Sequence, residues 1–118
     1  MIAELIVSCF HARTNAHLLH LQTKSFSAHK ALNEFYDGIV PLADSLAEAY
    51  QGAYGIIAIY PVAYKQYSDA IEMLDDLEVL LYRCQKSAWD PSETYLSNIC
   101  DEILALVSST KYKLTFLK

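Results

Sequence analysis

GAYGIIAIYPVAYK, residues 52–65, is the stretch on which the fold turns. Gly52, Gly55 and Pro61 interrupt helix at three points, yet the stretch is apolar and carries no charge before Lys65. A long apolar connection of this kind is expected to lie against a folded body. Extended at about 3.3 Å per residue, its 14 residues span about 46 Å. A helix of about 26 residues is about 39 Å long, so the stretch can cross the full length of a helical bundle.

On either side of it the chain reads as helix. The first segment covers about residues 2–22, where Ile2, Leu5, Cys9, Ala12, Ala16 and Leu19 recur at steps of three and four. The second runs from Ser25, a residue suited to an N-cap, to Gly52, and its apolar stripe is Ala28, Leu32, Phe35, Ile39, Leu42, Leu46 and Ala49. Pro41 interrupts it and should bend or loosen it, because proline removes one backbone hydrogen bond and crowds the preceding turn. The third covers Ala63 to Gln85, with Tyr67, Ile71, Leu74, Leu77, Leu81 and Cys84 facing inward and the acidic run Asp69, Glu72, Asp75, Asp76 and Glu78 on solvated faces. The fourth follows Trp89, with Asp90 as cap and Pro91 in the first turn, and buries Leu96, Ile99, Ile103, Val107, Thr110 and Leu114.

Short connections around Lys24 and around Ala88 to Pro91 make the paired segments antiparallel neighbours. With the long middle connection, this predicts an all-α fold: a single domain over residues 1–118, a four-helix bundle of two antiparallel hairpins joined by one long crossover, the ferritin-like arrangement.

Composition narrows the function classes. A 53% hydrophobic chain with three glycines and three prolines disfavours disorder and a turn-rich β fold. No apolar run reaches about 18 residues and Glu4 stands where a signal peptide needs a basic start, so no membrane partner and a cytoplasmic location are expected. A net charge of −5 argues against a phosphate-binding surface, so no nucleic-acid partner is expected. Lys111, Lys113 and Lys118 are read as favourable charges at the negative end of the last helix. Cys9, Cys84 and Cys100 each sit in or beside an apolar stripe, as buried free thiols do. They lack nearby histidines, and no Ser, His and Asp grouping has the local context of a nucleophilic site.

The chemistry-bearing residues are His20 at the end of the first segment and His29, Asp44 and Glu48 along the second. Imidazole and carboxylate are the usual ligands of iron and neighbouring divalent metals. Residues 17–52, HLLHLQTKSFSAHKALNEFYDGIVPLADSLAEAYQG, resemble the first hairpin of the ferritin-like superfamily, with Dps-type miniferritins the nearest likeness. Leu19-His20, Phe26 with His29, and Asp44 with Glu48 take the places of that family's histidine and carboxylate elements. HLQTKSFSAHKAL, with NICDEI and KYKLTFLK near the end, is also similar to small ferritin-like proteins of tailed bacteriophages. His20 precedes His29 by nine residues where the miniferritin spacing is 12, and His17 has the 12-residue spacing without the preceding leucine. Which of the two would serve stays open on the sequence.

The ferritin core motif Glu-x-x-His is absent, and Asp44 and Glu48 fall two positions after the core leucines Leu42 and Leu46, so they face away from the bundle interior. The miniferritin resemblance implies a metal site between subunits, with two histidines from one copy and two carboxylates from its twofold mate, in at least a dimer. It further implies iron binding, other divalent metals remaining open, and oxidation of ferrous iron. Asp37, on the carboxylate side, would support such a site. The alternative class is a metal-free helical bundle serving as a structural or protein-interaction module. His11 is read as exposed, and the tyrosines from Tyr50 to Tyr67 as crossover packing and subunit contact.

Overall fold

A computed structural model describes residues 1–118. Helix α1, Ile2–Gln22, buries Ile2, Leu5, Cys9, Ala12 and Ala16 of the stripe its spacing predicts, and Ile6 besides, and ends where the Thr23 amide bonds the Leu19 carbonyl. In place of Leu19, which is half-buried, the inward position of the last turn is taken by His20. Three residues later α2 begins. The Ser25 hydroxyl accepts from the Ala28 amide at 3.2 Å, supplying one of the partners that the first helical turn lacks. Helix α2, Phe26–Tyr54, runs through Pro41 without a break, and Pro41 is exposed. The proline amide missing from the ladder leaves the Asp37 carbonyl on the solvent side, where water can replace it.

The helix outruns Gly52 and stops at Gly55, whose φ of +92° few residues other than glycine adopt. From there to Asp69 the chain is extended, so α3 starts at Ala70 instead of Ala63. Its cap is Asp69, whose carboxylate accepts from the Ile71 amide at 3.1 Å. Helix α3 spans Ala70–Ser87 and α4 spans Thr94–Phe116. Asp90 caps a turn before α4, accepting from the Ser92 amide and hydroxyl, and Pro91 lies in that turn outside the helix.

Helix α1 packs on α2 and α3, and α4 packs on the same two, with no contact across either diagonal. The bundle is thus square in section, and the extended segment joins two diagonally opposed helices. A continuous core of 22 buried residues runs through all four helices, with Phe35, Ile39, Leu74, Leu96 and Ile103 fully enclosed. At Gly38 a Cβ would come within 3.2 Å of Leu106, so the missing side chain lets α2 and α4 approach closely. Lys113 reaches Glu34 at 2.6 Å, and Lys111 reaches Asp75 at 2.6 Å and Glu78 at 3.6 Å. These lysines therefore tie α4 to α2 and α3 as well as standing near the helix end.

The extended segment is pinned near both ends, at its start by the Gln51 side chain, which accepts from the Ile57 amide at 3.0 Å, and near α3 by Asn15. Asn15, 1% exposed, donates from Nδ2 to the His11 and Lys65 carbonyls and accepts from the Tyr67 amide. Burial and a hydrogen bond to Asp76 then push the Tyr67 phenol up to about 12. No helix is long and apolar enough to cross a membrane.

Candidate metal site

The three-residue turn decides where the histidines go. Had helix continued from His20 to His29, about 100° per residue would set them on opposite faces. With only Thr23–Ser25 between the helices, the last turn of α1 and the first of α2 bring their histidines face to face. The two rings stack with centroids 3.6 Å apart and planes 20° from parallel.

Each ring is also bonded to the other residue's backbone. His20 Nδ1 donates to the His29 carbonyl at 2.6 Å, and His29 Nδ1 donates to the His20 carbonyl at 2.9 Å. A carbonyl oxygen can only accept, so both Nδ1 atoms carry hydrogen, and in the neutral rings the lone pair lies on Nε2. His20 is 7% exposed, whereas His29 is half-buried and lines a shallow hollow of ≈ 280 Å³ with Thr23, Lys24, Ser25 and Phe26.

Around this pair lies an aromatic cluster in which the sequence reading had no place for Tyr36. Its ring stacks on His17 at 4.2 Å and meets His20 edge-on at 5.3 Å. The signal was there in the spacing, since Tyr36 follows His29 by two helical turns. Tyr36 donates to Asn33, and Asn33 to Asp37, each at 2.8 Å, so Asp37 is linked by hydrogen bonds to the cluster. His17 is thereby engaged with an aromatic face. His11 is half-buried and meets Tyr64 edge-on at 4.9 Å, not simply exposed.

Asp44 and Glu48 are both exposed, as their offset from the core leucines predicts. They do not join the histidines within one chain. Fifteen and nineteen residues beyond His29 on one unbroken helix, they lie about 22 and 28 Å away along its axis. No three His, Cys, Asp or Glu side chains of a single chain converge as a metal-ligand group. What one chain offers is two imidazoles with fixed tautomers at one end of α2 and two carboxylates toward the other. Asp44 and Glu48 are rotated about 60° and about 100° from His29 around the helix, so the carboxylates lie on the same half of its circumference as His29.

Residues 20–114 match the family of unknown function DUF5856. The chain belongs to that family. The matched region holds His20, His29, Asp44 and Glu48 and excludes most of α1. Neither a curated protein nor a solved structure matches the chain.

The three thiols are free and buried, as expected. Burial raises all three, Cys84 to about 11 and Cys100 to about 12, which keeps them protonated and unreactive. Asn98, Asp101 and Glu102 are exposed on α4, and Asp101 accepts from Gln85 of α3.

Proposed function

We propose that this chain is a ferritin-like protein that binds ferrous iron, or another first-row divalent cation, at sites shared between two copies. In each site His20 and His29 come from one copy and Asp44 and Glu48 from the other. The crossed histidine pair carries this reading. Metal-ligating imidazoles characteristically donate their second ring nitrogen to a carbonyl or carboxylate, which fixes the tautomer and orients the ligand nitrogen. Both histidines here have that bond, leaving the unprotonated Nε2 as the donor atom.

The helical arrangement we infer is two antiparallel hairpins, α1–α2 and α3–α4, joined by a crossover along the bundle. Supporting it, Cys84 near the end of α3 lies 3.7 Å from the Met1 carbonyl, and Glu34 early in α2 meets Lys113 late in α4. Gln85 also bonds the Ser97 carbonyl across the α3–α4 connection. Leu18, Leu21 and Phe26, close to the histidines in sequence, are exposed, Phe26 at 75%, which favours a contact surface at this end of the bundle. A twofold axis across the middle of the α1–α2 face would bring the histidine end of one copy to the carboxylate end of the other and create two equal sites.

Ferrous iron is written here as substrate: mixed imidazole and carboxylate ligation leaves coordination positions open, and an external oxidant such as dioxygen would take the electron. Binding should weaken in acid, where protons compete for Nε2.

Metal content of the purified protein and anaerobic ferrous titration, followed by oxygen addition, test the reading. Single variants His29→Ala and Glu48→Ala should each abolish binding without loss of helix. Mixing and reassembling the two variants is the decisive step. Every mixed dimer regains one intact site of its two, because one copy retains the histidines and the other the carboxylates. No binding by wild type, or no recovery on mixing, refutes the shared site. The rival reading, a metal-free interaction module, draws on the exposed extended segment.

A further inference from the structure

Helices α1 and α3 leave a pocket of ≈ 340 Å³ between them, edged by the extended segment. That volume lies in the range of small-molecule sites. Its floor is apolar and buried, since Ala12, Met73, Leu77 and Leu80 are each no more than 9% exposed. At one end, beside Asn15, the polar lining is already engaged. Tyr67 donates to Asp76 at 2.6 Å, and the Lys65 ammonium lies 3.7 Å from the same carboxylate. At the other end, where the Met1 carbonyl lies 3.7 Å from Cys84 Sγ, the lining differs. Glu4 of α1 and Arg83 of α3 face the pocket there, while the ion pairs of the chain use other residues and leave both without a partner. Both charges bear on the Cys84 thiol, Glu4 raising its pKa and Arg83 lowering it, which puts them at this end together.

We propose that this pocket binds a free α-amino acid with an apolar side chain, its carboxylate on Arg83, its ammonium on Glu4 and its side chain along the floor. Charge selects a zwitterion. Glu4 and Asp76 offset Lys65 and Arg83 around the lining, so the pocket favours neither a net anion nor a net cation. A simple carboxylate placed on Arg83 would stand beside Glu4, and a simple amine placed on Glu4 would stand beside Arg83. Like charges set together in this way are costly. An α-amino acid carries both charges on neighbouring groups, and the guanidinium fork matches its carboxylate. Its side chain displaces water from Leu77 and Leu80 and covers Val79, which stands 57% exposed at the rim. The pocket contains none of His20, His29, Asp44 and Glu48, so the proposal does not depend on the metal reading.

NMR titration of the full chain with L-phenylalanine and L-leucine tests the proposal. Both should shift the resonances of Ser8, Ala12, Leu77 and Leu80 saturably, with a dissociation constant on the order of a millimolar, as suits a small ligand in an open pocket. L-Phenylalanine methyl ester keeps the ammonium and loses the carboxylate charge, and N-acetyl-L-phenylalanine does the reverse. Each should bind roughly tenfold more weakly than phenylalanine, the loss expected when one charged hydrogen-bonding group is removed. Arg83→Gln and Glu4→Gln should each weaken phenylalanine binding by a similar factor with helical content unchanged, because both side chains are exposed. The proposal is overturned if neither amino acid binds saturably at millimolar concentrations, or if the shifts map outside the pocket. It is equally overturned if the ester or the acetyl compound binds as tightly as phenylalanine, which would leave only an apolar groove, or if either variant binds phenylalanine as wild type does.

Discussion

Removing either ring of the His20–His29 pair should cost stability in a pattern set by what each ring bonds. His29→Ala deletes a hydrogen bond to the His20 carbonyl, which lies in the last turn of α1 and has no other protein partner. A bond of that kind contributes about 0.5–1.5 kcal/mol. The stacked contact at 3.6 Å goes as well, for about 0.5–1.5 kcal/mol more, giving a total of about 1–3 kcal/mol. His20→Ala should cost more, about 2–4 kcal/mol, because a buried ring is also exchanged for a void. Both hydrogen bonds run to backbone carbonyls, so each remaining ring keeps a carbonyl to bond after its neighbour is truncated. The double variant should therefore fall short of the summed single costs by the stacking alone, about 0.5–1.5 kcal/mol. Urea unfolding of the four proteins with chelator present measures this without any contribution from bound cation. A coupling above about 2 kcal/mol would mean that the rings bond each other directly. Single costs under about 0.5 kcal/mol would mean that the crossed bonds do not form in solution; either result refutes the reasoning.

Asn15→Ala should destabilise by about 2–4 kcal/mol, since it deletes two donated bonds and strands the Tyr67 amide, and exchange at residues 65–67 should accelerate. Asn15→Asp, which keeps the acceptor but not the donors, should recover only part of that loss. Glu34 is held below its ordinary 4.5 by the hydrogen bond and charge of Lys113, so the pair stabilises the fold above that pH and the contribution fades as pH falls through the lowered value. Wild type should accordingly exceed Glu34→Gln in thermal stability at pH 7, and the gap should close in acid; a gap independent of pH refutes the pairing. Cys9, Cys84 and Cys100 should react with a disulfide reagent at pH 8 only as fast as the protein opens, and all three together on adding denaturant.

Periodicity revealed the helices because burial imposes it, but what happens at their ends depends on local bonding. Ser25 was legible as a cap since it precedes an apolar stripe directly. Asp69 was not, because four other acidic residues follow it and the group reads as one solvated face. With the cap hidden, Tyr67 extended the apparent stripe backward into the segment that is in fact extended and pinned by Asn15. Asp90 misled for the opposite reason: it is a capping residue, but the turn it caps is its own. The acidic face itself was only half-read. Asp75 and Glu78 meet Lys111 from a helix whose placement no local pattern encodes, while Lys65 faces Glu72 and Asp76 from the extended segment.

The histidines show how a site can be legible in composition and ambiguous in spacing. Nine residues is a poor interval on one helix and a good one across a short turn, so the pair depended entirely on where α1 stops. For the carboxylates the interval works the other way. Fifteen residues on a continuous α2 fix Asp44 about 22 Å from His29, and Pro41 does not break the helix between them. No side-chain rotation closes such a gap, so a site containing all four residues requires two chains. That requirement makes the mixing of His29→Ala with Glu48→Ala more informative than either variant alone: loss in a single variant fits any role for the residue, but recovery in the mixture arises only when the two ends of α2 meet between copies.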